Sequence, residues 1–234
     1  SRLITSTVTL GFDKSSAKEG LASIFYNKKF KYAYEKNIIL RNLEMINFAL
    51  GLNIKKEEVF KKLPFLYARK KYLNNNLSTT KKNILLIPGA SNISKRFPAS
   101  KFKKLSTLID ANFVVVWGGL DEKILANEIK GFAPNIHVLD KLNLKKLILL
   151  IKQVDLVIGP DTGPTHMAWA LNVPSITLFG STPGYRNSCS THINKTLESN
   201  SIVNPLKINN NDHSIKNINV DDIVVIANKL LLSK

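Results

Sequence analysis

The sequence predicts an α/β protein whose main part is an open, doubly wound parallel sheet with helices on both faces. Two observations support this fold class. From residue 83 onward, short apolar runs alternate with segments of helical periodicity, a spacing typical of repeated strand–helix units. Most of these runs end at a glycine-containing break, and sheets of this kind bind ligands in the crevice beyond the carboxyl ends of their strands.

The predicted elements of this sheet follow in a regular order. Residues 83–87 form a short apolar run, which suits a buried parallel strand. A helix begins near Pro98, which fits a first turn because no N–H is needed there. Asp121 can cap a later helix that runs to about Lys130. Further strands are expected over residues 113–117, 136–139, 156–159 and 175–180, and helices over residues 165–171 and 144–152, the last with Leu144, Leu147, Ile148 and Ile151 on one face.

The first third of the chain differs from this pattern. Residues 1–77 offer one strand, over residues 2–10, and two helices, over residues 15–25 and 37–50. These elements include too few strands to close a sheet of their own. Since Ser1 is not an initiator methionine, we expect residues 1–77 to be the C-terminal part of a first domain whose upstream part is missing.

The second domain is expected to comprise residues 78–234. Residues 72–82 are polar and lack periodicity, so we interpret them as the linker around this boundary. After Thr182 the chain is rich in Asn, Ser and Lys, which predicts loop. An amphipathic helix over residues 220–232 completes the domain.

The composition indicates a folded protein with an anionic partner. There are 34 basic and 17 acidic residues among 234, a net charge of +17, and this excess favours nucleic acid, an anionic membrane surface or a phosphorylated substrate. A lysine bias of the whole proteome is an equally good explanation. The single cysteine, Cys189, allows no internal disulfide, which fits a reducing cytoplasm. The histidines share no ligand spacing, so no metal site is predicted, and no apolar run has the roughly 18–20 residues that a membrane span needs.

The strongest motif covers residues 155–168, where a strand ends, a tight turn follows and a helix begins. The unpaired N–H groups of such a helix start make an anion site. Asp161 can accept hydrogen bonds from sugar hydroxyls, Thr162 can donate to a phosphate, and Gly163 lets a bulky ligand approach the backbone. His166 lies one turn into the helix and faces the same crevice. The alternatives are a plain helix cap with a core histidine, or an aspartic-protease motif, which the strand before and the helix after it disfavour.

The second motif, residues 88–98, is also a strand end that leads into a helix. Gly89, Ala90 and Ser91 leave room for a phosphate, and the next basic residues, Lys95 and Arg96, supply charge. The Gly-Lys-Ser/Thr ending of a Walker loop is absent. A solvated basic loop is the alternative.

The third motif, residues 117–122, follows the second strand. Glu122 can hold a ribose through its hydroxyls, as the acid of dinucleotide sites does. A helix-start acid that is favoured by the helix dipole is an equally good explanation.

These three motifs, in this order, resemble the C-terminal domain of the ADP-heptose:lipopolysaccharide heptosyltransferases, glycosyltransferase family 9. Residues 180–183 are also similar to that family, and residues 11–13, 16–19 and 21–29 look like heptosyltransferase I. The resemblance implies a GT-B fold: a Rossmann-like donor domain with a doubly wound sheet, preceded here by an incomplete remnant of the N-terminal acceptor domain.

The resemblance also implies an activity. Heptose would move from ADP-L-glycero-D-manno-heptose to the Kdo of Kdo-lipid A by an inverting single displacement, at the inner face of the inner membrane and without a cofactor. The catalytic base would lie upstream of Ser1. Alternatives are heptosyltransferase II, another GT-B transferase such as one that uses a UDP-sugar, or a non-catalytic module that binds nucleic acid or another anion. The special residues cluster at strand ends and not on a basic stripe, which favours the enzyme, and nucleic acid is not an expected partner.

Roles follow from the resemblance position by position. Lys95 would stabilise the diphosphate leaving group. Some relatives carry a hydroxyl residue at the position of Ala90, so only its backbone is expected to contact the donor. Lys28 and Lys29 could meet the acceptor or the anionic membrane face, and a solvated basic loop is as good an explanation. The implied donor contacts are Ala90, Ser91, Lys95, Glu122, Leu142, Asp161, Thr162, Gly163 and His166.

Overall fold

The computed structural model describes residues 6–68, 72, 74–131 and 133–232. The chain opens with a small parallel pair of strands, β1 (Leu10–Phe12) and β2 (Lys28–Phe30), joined through a 3-10 helix at Gly20–Phe25. Helix α1 (Ile38–Leu50) follows. The helix expected over residues 15–25 is therefore reduced to one short 3-10 segment. Of the strand expected over residues 2–10 only the last residue is in β1, and residues 1–5 lie outside the described residues.

The main part of the chain is a six-stranded sheet in which every neighbouring pair is parallel. The strands are β3 (Asn83–Leu86), β4 (Asn112–Val115), β5 (Ile136–Val138), β6 (Leu156–Pro160), β7 (Ser175–Phe179) and β8 (Asn194–Glu198). They lie in the order β5-β4-β3-β6-β7-β8. This is the order of a Rossmann sheet, in which the first three strands run to one side and the last three to the other.

Helices cover both faces of this sheet. They are α2 (Ala99–Leu108), α3 (Leu120–Lys130), α4 (Leu144–Ile151), α5 (Gly163–Ala170), α6 (Gly184–Asn187) and α7 (Val220–Leu232). On β3, Ile84 and Leu86 belong to a core that includes α2, α3 and α7, whereas Leu85 belongs to a core with α4 and α5. Because both faces are buried, the strands need no polar alternation, and the α/β class predicted from the apolar runs is confirmed.

The prediction of a loop after Thr182 is wrong, because helix α6 and strand β8 lie in that stretch. Strand β8 has the polar sequence Asn-Lys-Thr-Leu-Glu and forms one edge of the sheet. An edge strand has a partner on one side only, and its side chains here are mostly half-buried. It therefore lacks the apolar run by which the inner strands were found.

Two helix details also differ from the expectation. Leu144 was predicted on the buried face of α4 but is 59% exposed, whereas Leu150, which was not predicted there, is fully buried. Asp121 is not the cap of α3, since Gly119 occupies the N-cap position. Asp121 instead forms an ion pair with Arg96.

The segment before the sheet packs against it. The amide of Phe65 donates to the Ala170 carbonyl at 3.2 Å, and Lys62 Nζ donates to the Trp169 carbonyl. Leu66 and Leu77 pack against the core that α4 and α5 share. Within the described ranges, no helix has both the length and the apolar character that crossing a membrane requires.

Candidate functional site

The carboxyl ends of β3 and β6 meet at the point where the strand order reverses. In sheets of this type the connections leave such a pair in opposite directions and open a crevice for a ligand. The two strand ends approach closely, because a Cβ at Gly159 would lie 2.8 Å from Ile87 Cβ and 2.9 Å from its carbonyl oxygen. Only glycine fits there, so the residues that follow each strand come together.

Asp161, directly after β6, is the centre of a polar network. Its Oδ2 accepts from Lys95 Nζ at 3.0 Å, from Thr182 Oγ1 at 2.8 Å and from Asn187 Nδ2 at 3.3 Å. Its Oδ1 lies 2.9 Å from His166 Nε2. The carboxylate, with a side chain only 9% exposed, is thus held by groups from four different segments.

The charge of Asp161 follows from these contacts. Burial raises the pKa of its carboxyl group, but the hydrogen bond with His166 and the ammonium of Lys95 outweigh burial and hold the pKa well below its ordinary range. An ionised carboxylate only accepts hydrogen bonds, so Nε2 of His166 carries the hydrogen. Asp161 accepts one of the three N–H bonds of Lys95, whose ammonium can donate to a ligand as well.

A cavity of about 190 Å³ lies beside this network. Its walls are mainly apolar, and Glu122 supplies a carboxylate that accepts from the Gly118 amide at 2.7 Å. The indole of Trp117 is fixed by a 2.8 Å hydrogen bond to the Leu139 carbonyl. Apolar walls with one carboxylate suit a nucleobase and the hydroxyls of a ribose. The lining residues are Ile87, Gly89, Ala90, Val116, Trp117, Gly118, Glu122, Leu142, Leu147, Thr162 and Pro164.

Most of the predicted donor residues fall into these two adjoining groups. The cavity is lined by Ala90, Glu122, Leu142 and Thr162, and the network holds Lys95, Asp161 and His166. A Cβ at Gly163 would meet no atom within 4 Å, so the start of α5 is open to a ligand. The exception is Ser91, which is exposed and does not line this cavity. The candidate acceptor residues, Lys28 and Lys29, are exposed on β2 and belong to neither group.

Arg96 has a different role from the one that its position suggests. Its Nε and Nη2 both donate to the Ala90 carbonyl at 3.2 Å, and it pairs with Asp121. The guanidinium therefore braces the loop around Ala90. Lys95 is the basic residue of this loop that pairs with Asp161.

Two residues of the network, Thr182 and Asn187, were not predicted from the sequence. Thr182 stands just after β7, and its place at a strand end is a signal that could have identified it. Asn187 belongs to the stretch that was expected to be loop, so no sequence pattern pointed to it. No cluster of His, Cys, Asp or Glu that could hold a metal ion occurs among the described residues.

Known proteins are similar to this chain in sequence and in fold. The model of "Glycosyltransferase family 9 (heptosyltransferase)" matches residues 1–210. The chain is similar to lipopolysaccharide heptosyltransferase 1 of Campylobacter coli, with 38% identity over 97% of this chain and 71% of that protein. It is also similar to lipopolysaccharide heptosyltransferase 1 of Escherichia coli, with 29% identity over 74% of this chain but only 54% of that protein.

The fold has counterparts among solved structures. The E. coli heptosyltransferase WaaC with ADP superposes with a TM-score of 0.71 and 20% identity, covering 95% of this chain and 66% of that one. A glycosyl transferase family 9 protein from Veillonella parvula superposes with a TM-score of 0.73 and 17% identity, covering 98% of this chain and 69% of that one. At these identities the likeness establishes the fold, and the chain spans about two thirds of either structure.

Proposed function

The chain belongs to glycosyltransferase family 9, the heptosyltransferases, and from this premise we propose that it acts in lipopolysaccharide synthesis. The proposed reaction moves heptose from ADP-L-glycero-D-manno-heptose to the Kdo of Kdo-lipid A. No cofactor is required beyond the donor substrate. The name of the Campylobacter coli relative supports the first heptose as the one that is transferred, and so does the resemblance of residues 11–29.

The observation that carries this proposal is the Lys95–Asp161 pair at the strand-order reversal. A nucleoside diphosphate leaves as an anion, so its departure is helped by a fixed cation. Lys95 is held at 3.0 Å by a carboxylate that stays ionised. The open start of α5 adds N–H groups that attract phosphate oxygens.

The cavity beside the pair is the proposed nucleoside site. Glu122 would accept hydrogen bonds from the ribose hydroxyls, and Leu142 would contact the base. Thr162 and the backbone of Ala90 line the same cavity and would contact the diphosphate. The sugar would then lie at Asp161 and His166.

In a single displacement the acceptor oxygen bonds to the anomeric carbon while the bond from that carbon to the diphosphate oxygen breaks. The acceptor hydroxyl gives its proton to a base. Asp161 is unsuited to that role, because a carboxylate with a strongly lowered pKa is a weak proton acceptor. Its proposed work is to hold Lys95 and to accept hydrogen bonds from sugar hydroxyls.

The acceptor side of the proposal involves Lys28 and Lys29. Both are exposed on β2 and suit the phosphates of lipid A or an anionic leaflet. This supports a peripheral position at the inner face of the inner membrane. Sedimentation with anionic and with neutral vesicles tests it, and equal binding to both would contradict it.

The direct experiment measures transfer to two acceptors. The protein is incubated with ADP-heptose and either Kdo-lipid A or the same acceptor that already carries one heptose, and the products are identified by mass spectrometry. Product from Kdo-lipid A alone is the expected result, and product only from the heptosylated acceptor would indicate the second transfer. Asp161→Asn is the control for activity that depends on this site.

Nucleotide preference separates the remaining alternatives. We expect ADP to bind more tightly than UDP, because the proposed donor is ADP-heptose. Tighter binding of UDP would indicate a different sugar donor. Binding that is strongly salt-dependent and indifferent to the sugar would indicate an anion-binding module.

A further inference from the structure

Asn187, the last residue of α6, links Asp161 to the first segment of the chain. Its Nδ2 lies 3.3 Å from Asp161 Oδ2. Its Oδ1 accepts from Arg186 Nη1 at 3.0 Å. Because the oxygen of the amide is occupied by a guanidinium donor, the amide nitrogen must be the group that faces the carboxylate.

Arg186 is itself fixed by the first segment. Its Nε donates to the Tyr34 carbonyl at 2.8 Å, and its guanidinium carbon lies 4.1 Å from the centre of the Tyr34 ring. A planar guanidinium that is stacked on a ring and bonded at its edge has one preferred orientation. The direction of the Asn187 amide therefore depends on residues more than 150 positions away in the sequence.

The backbone of α6 is held from the same side. Asn37 caps α1 through its Oδ1 and donates from Nδ2 to the carbonyls of Tyr185 and Ser188, at 3.0 and 2.6 Å. At the other end, the Gly184 amide donates to Glu198 on β8 at 2.9 Å. A helix of four residues has little stability of its own, so these contacts set its position.

We propose that Asn187 is a positioning residue for Asp161, oriented by Arg186 and by the contact of residues 34–37 with α6. Oδ2 of Asp161 receives three donors, from Lys95, Thr182 and Asn187. With the third donor in place, the carboxylate cannot turn toward Lys95 alone, and Oδ1 stays toward His166. This proposal rests on the proposed function in one respect, because the donor sugar is the group whose binding would depend on the orientation of the Asp161 carboxylate.

Two substitutions separate positioning from a structural role. Asn187→Leu removes the donor, and Asn187→Asp replaces it with an acceptor while keeping the oxygen for Arg186. Positioning predicts a fall in kcat/KM for ADP-heptose of about tenfold for Asn187→Leu, the loss of one long hydrogen bond to a charged group, and a larger fall for Asn187→Asp. A structural role predicts the reverse order, since Asp keeps the bond to Arg186. The melting temperature of each variant shows that it is folded.

The matched control for charge is Tyr185→Asp. This change adds the same charge to the same helix at a side chain that is 56% exposed, while the Tyr185 carbonyl remains for Asn37. Positioning predicts at most a twofold effect of Tyr185→Asp on kcat/KM. An effect equal to that of Asn187→Asp would mean that charge alone acts, and the proposal would be overturned.

A measurement without ligand keeps this proposal separate from the proposed function. In protein with 15N-labelled asparagine, the side-chain amide resonance of Asn187 is expected to shift in Asp161→Asn. An unshifted resonance overturns the contact whatever the enzyme does. A shifted resonance in a protein that neither binds ADP nor transfers heptose would contradict the proposed function but establish the contact between Asn187 and Asp161.

Discussion

Replacing Lys95 by alanine tests the role of the cation in the crevice. The substitution removes the ammonium that Asp161 holds at 3.0 Å, and with it the group that would face the donor diphosphate. Two effects are expected, one on nucleotide binding and one on stability. Their sizes follow from how buried the pair is, since the side chains of Lys95 and Asp161 are 21% and 9% exposed.

The effect on binding comes from lost charge-assisted hydrogen bonds. Such a bond contributes about 1.5–3 kcal/mol, so the Kd for ADP is expected to rise about 10- to 150-fold. The effect on stability comes from a buried carboxylate that loses its cation. Because His166, Thr182 and Asn187 still donate to it, we expect a loss of about 1–3 kcal/mol, below the cost of an entirely unpaired buried charge.

Calorimetry with ADP at one fixed salt concentration and urea unfolding measure the two effects. The double variant Lys95→Ala/Asp161→Asn separates them. Neutralising position 161 removes the unpaired charge, so stability recovers, whereas ADP affinity stays low because the cation is still absent. Unchanged ADP affinity in folded Lys95→Ala would refute the assigned phosphate role.

Three other perturbations test the cleft and the packing around it. In Gly89→Ala the new Cβ would lie 2.3 Å from the Glu122 carboxylate, and this flexible side chain would move away. We therefore expect the affinity for ADP to fall several-fold with little change in melting temperature. An unaltered affinity would contradict a ribose site at Glu122. The pKa of Asp161 is lowered in the fold, so its contribution to stability is present above about pH 4 and is lost as the pH falls through the folded pKa. The difference in unfolding free energy between wild type and Asp161→Asn should therefore shrink below about pH 4, and a constant difference in urea titrations would contradict the ionised state. Arg41, 2% exposed, donates to three backbone carbonyls, so Arg41→Met should cost about 2–4 kcal/mol in thermal unfolding, and a loss under about 1 kcal/mol would show that these bonds are dispensable.

The inner strands of the sheet could be predicted because one physical cause determines their composition. β3, β4, β6 and β7 are buried on both faces, so each is a short apolar run that ends where the crevice begins. The candidate donor motifs could be located for the same reason, since they occupy these strand ends. β8 carries no such run because its edge position leaves its side chains half-buried.

Contacts between distant segments could not be predicted from local patterns. Nothing in the sequence around Asn187 indicates that Arg186 stacks on Tyr34 or that the amide reaches Asp161. Asp121 illustrates the same limit, because its place at a helix start suggested a cap while its partner is Arg96, 25 residues earlier. In both cases the role of the side chain depends on a partner from a distant segment, and that partner cannot be identified before the fold is known.

A crystal structure with ADP bound tests the assignment of the crevice most directly. The expected result is a diphosphate between Lys95 and the start of α5, with the ribose hydroxyls on Glu122 and the base against Leu142. A diphosphate bound elsewhere on the chain, or a crevice without nucleotide at saturating ADP, would contradict the assignment.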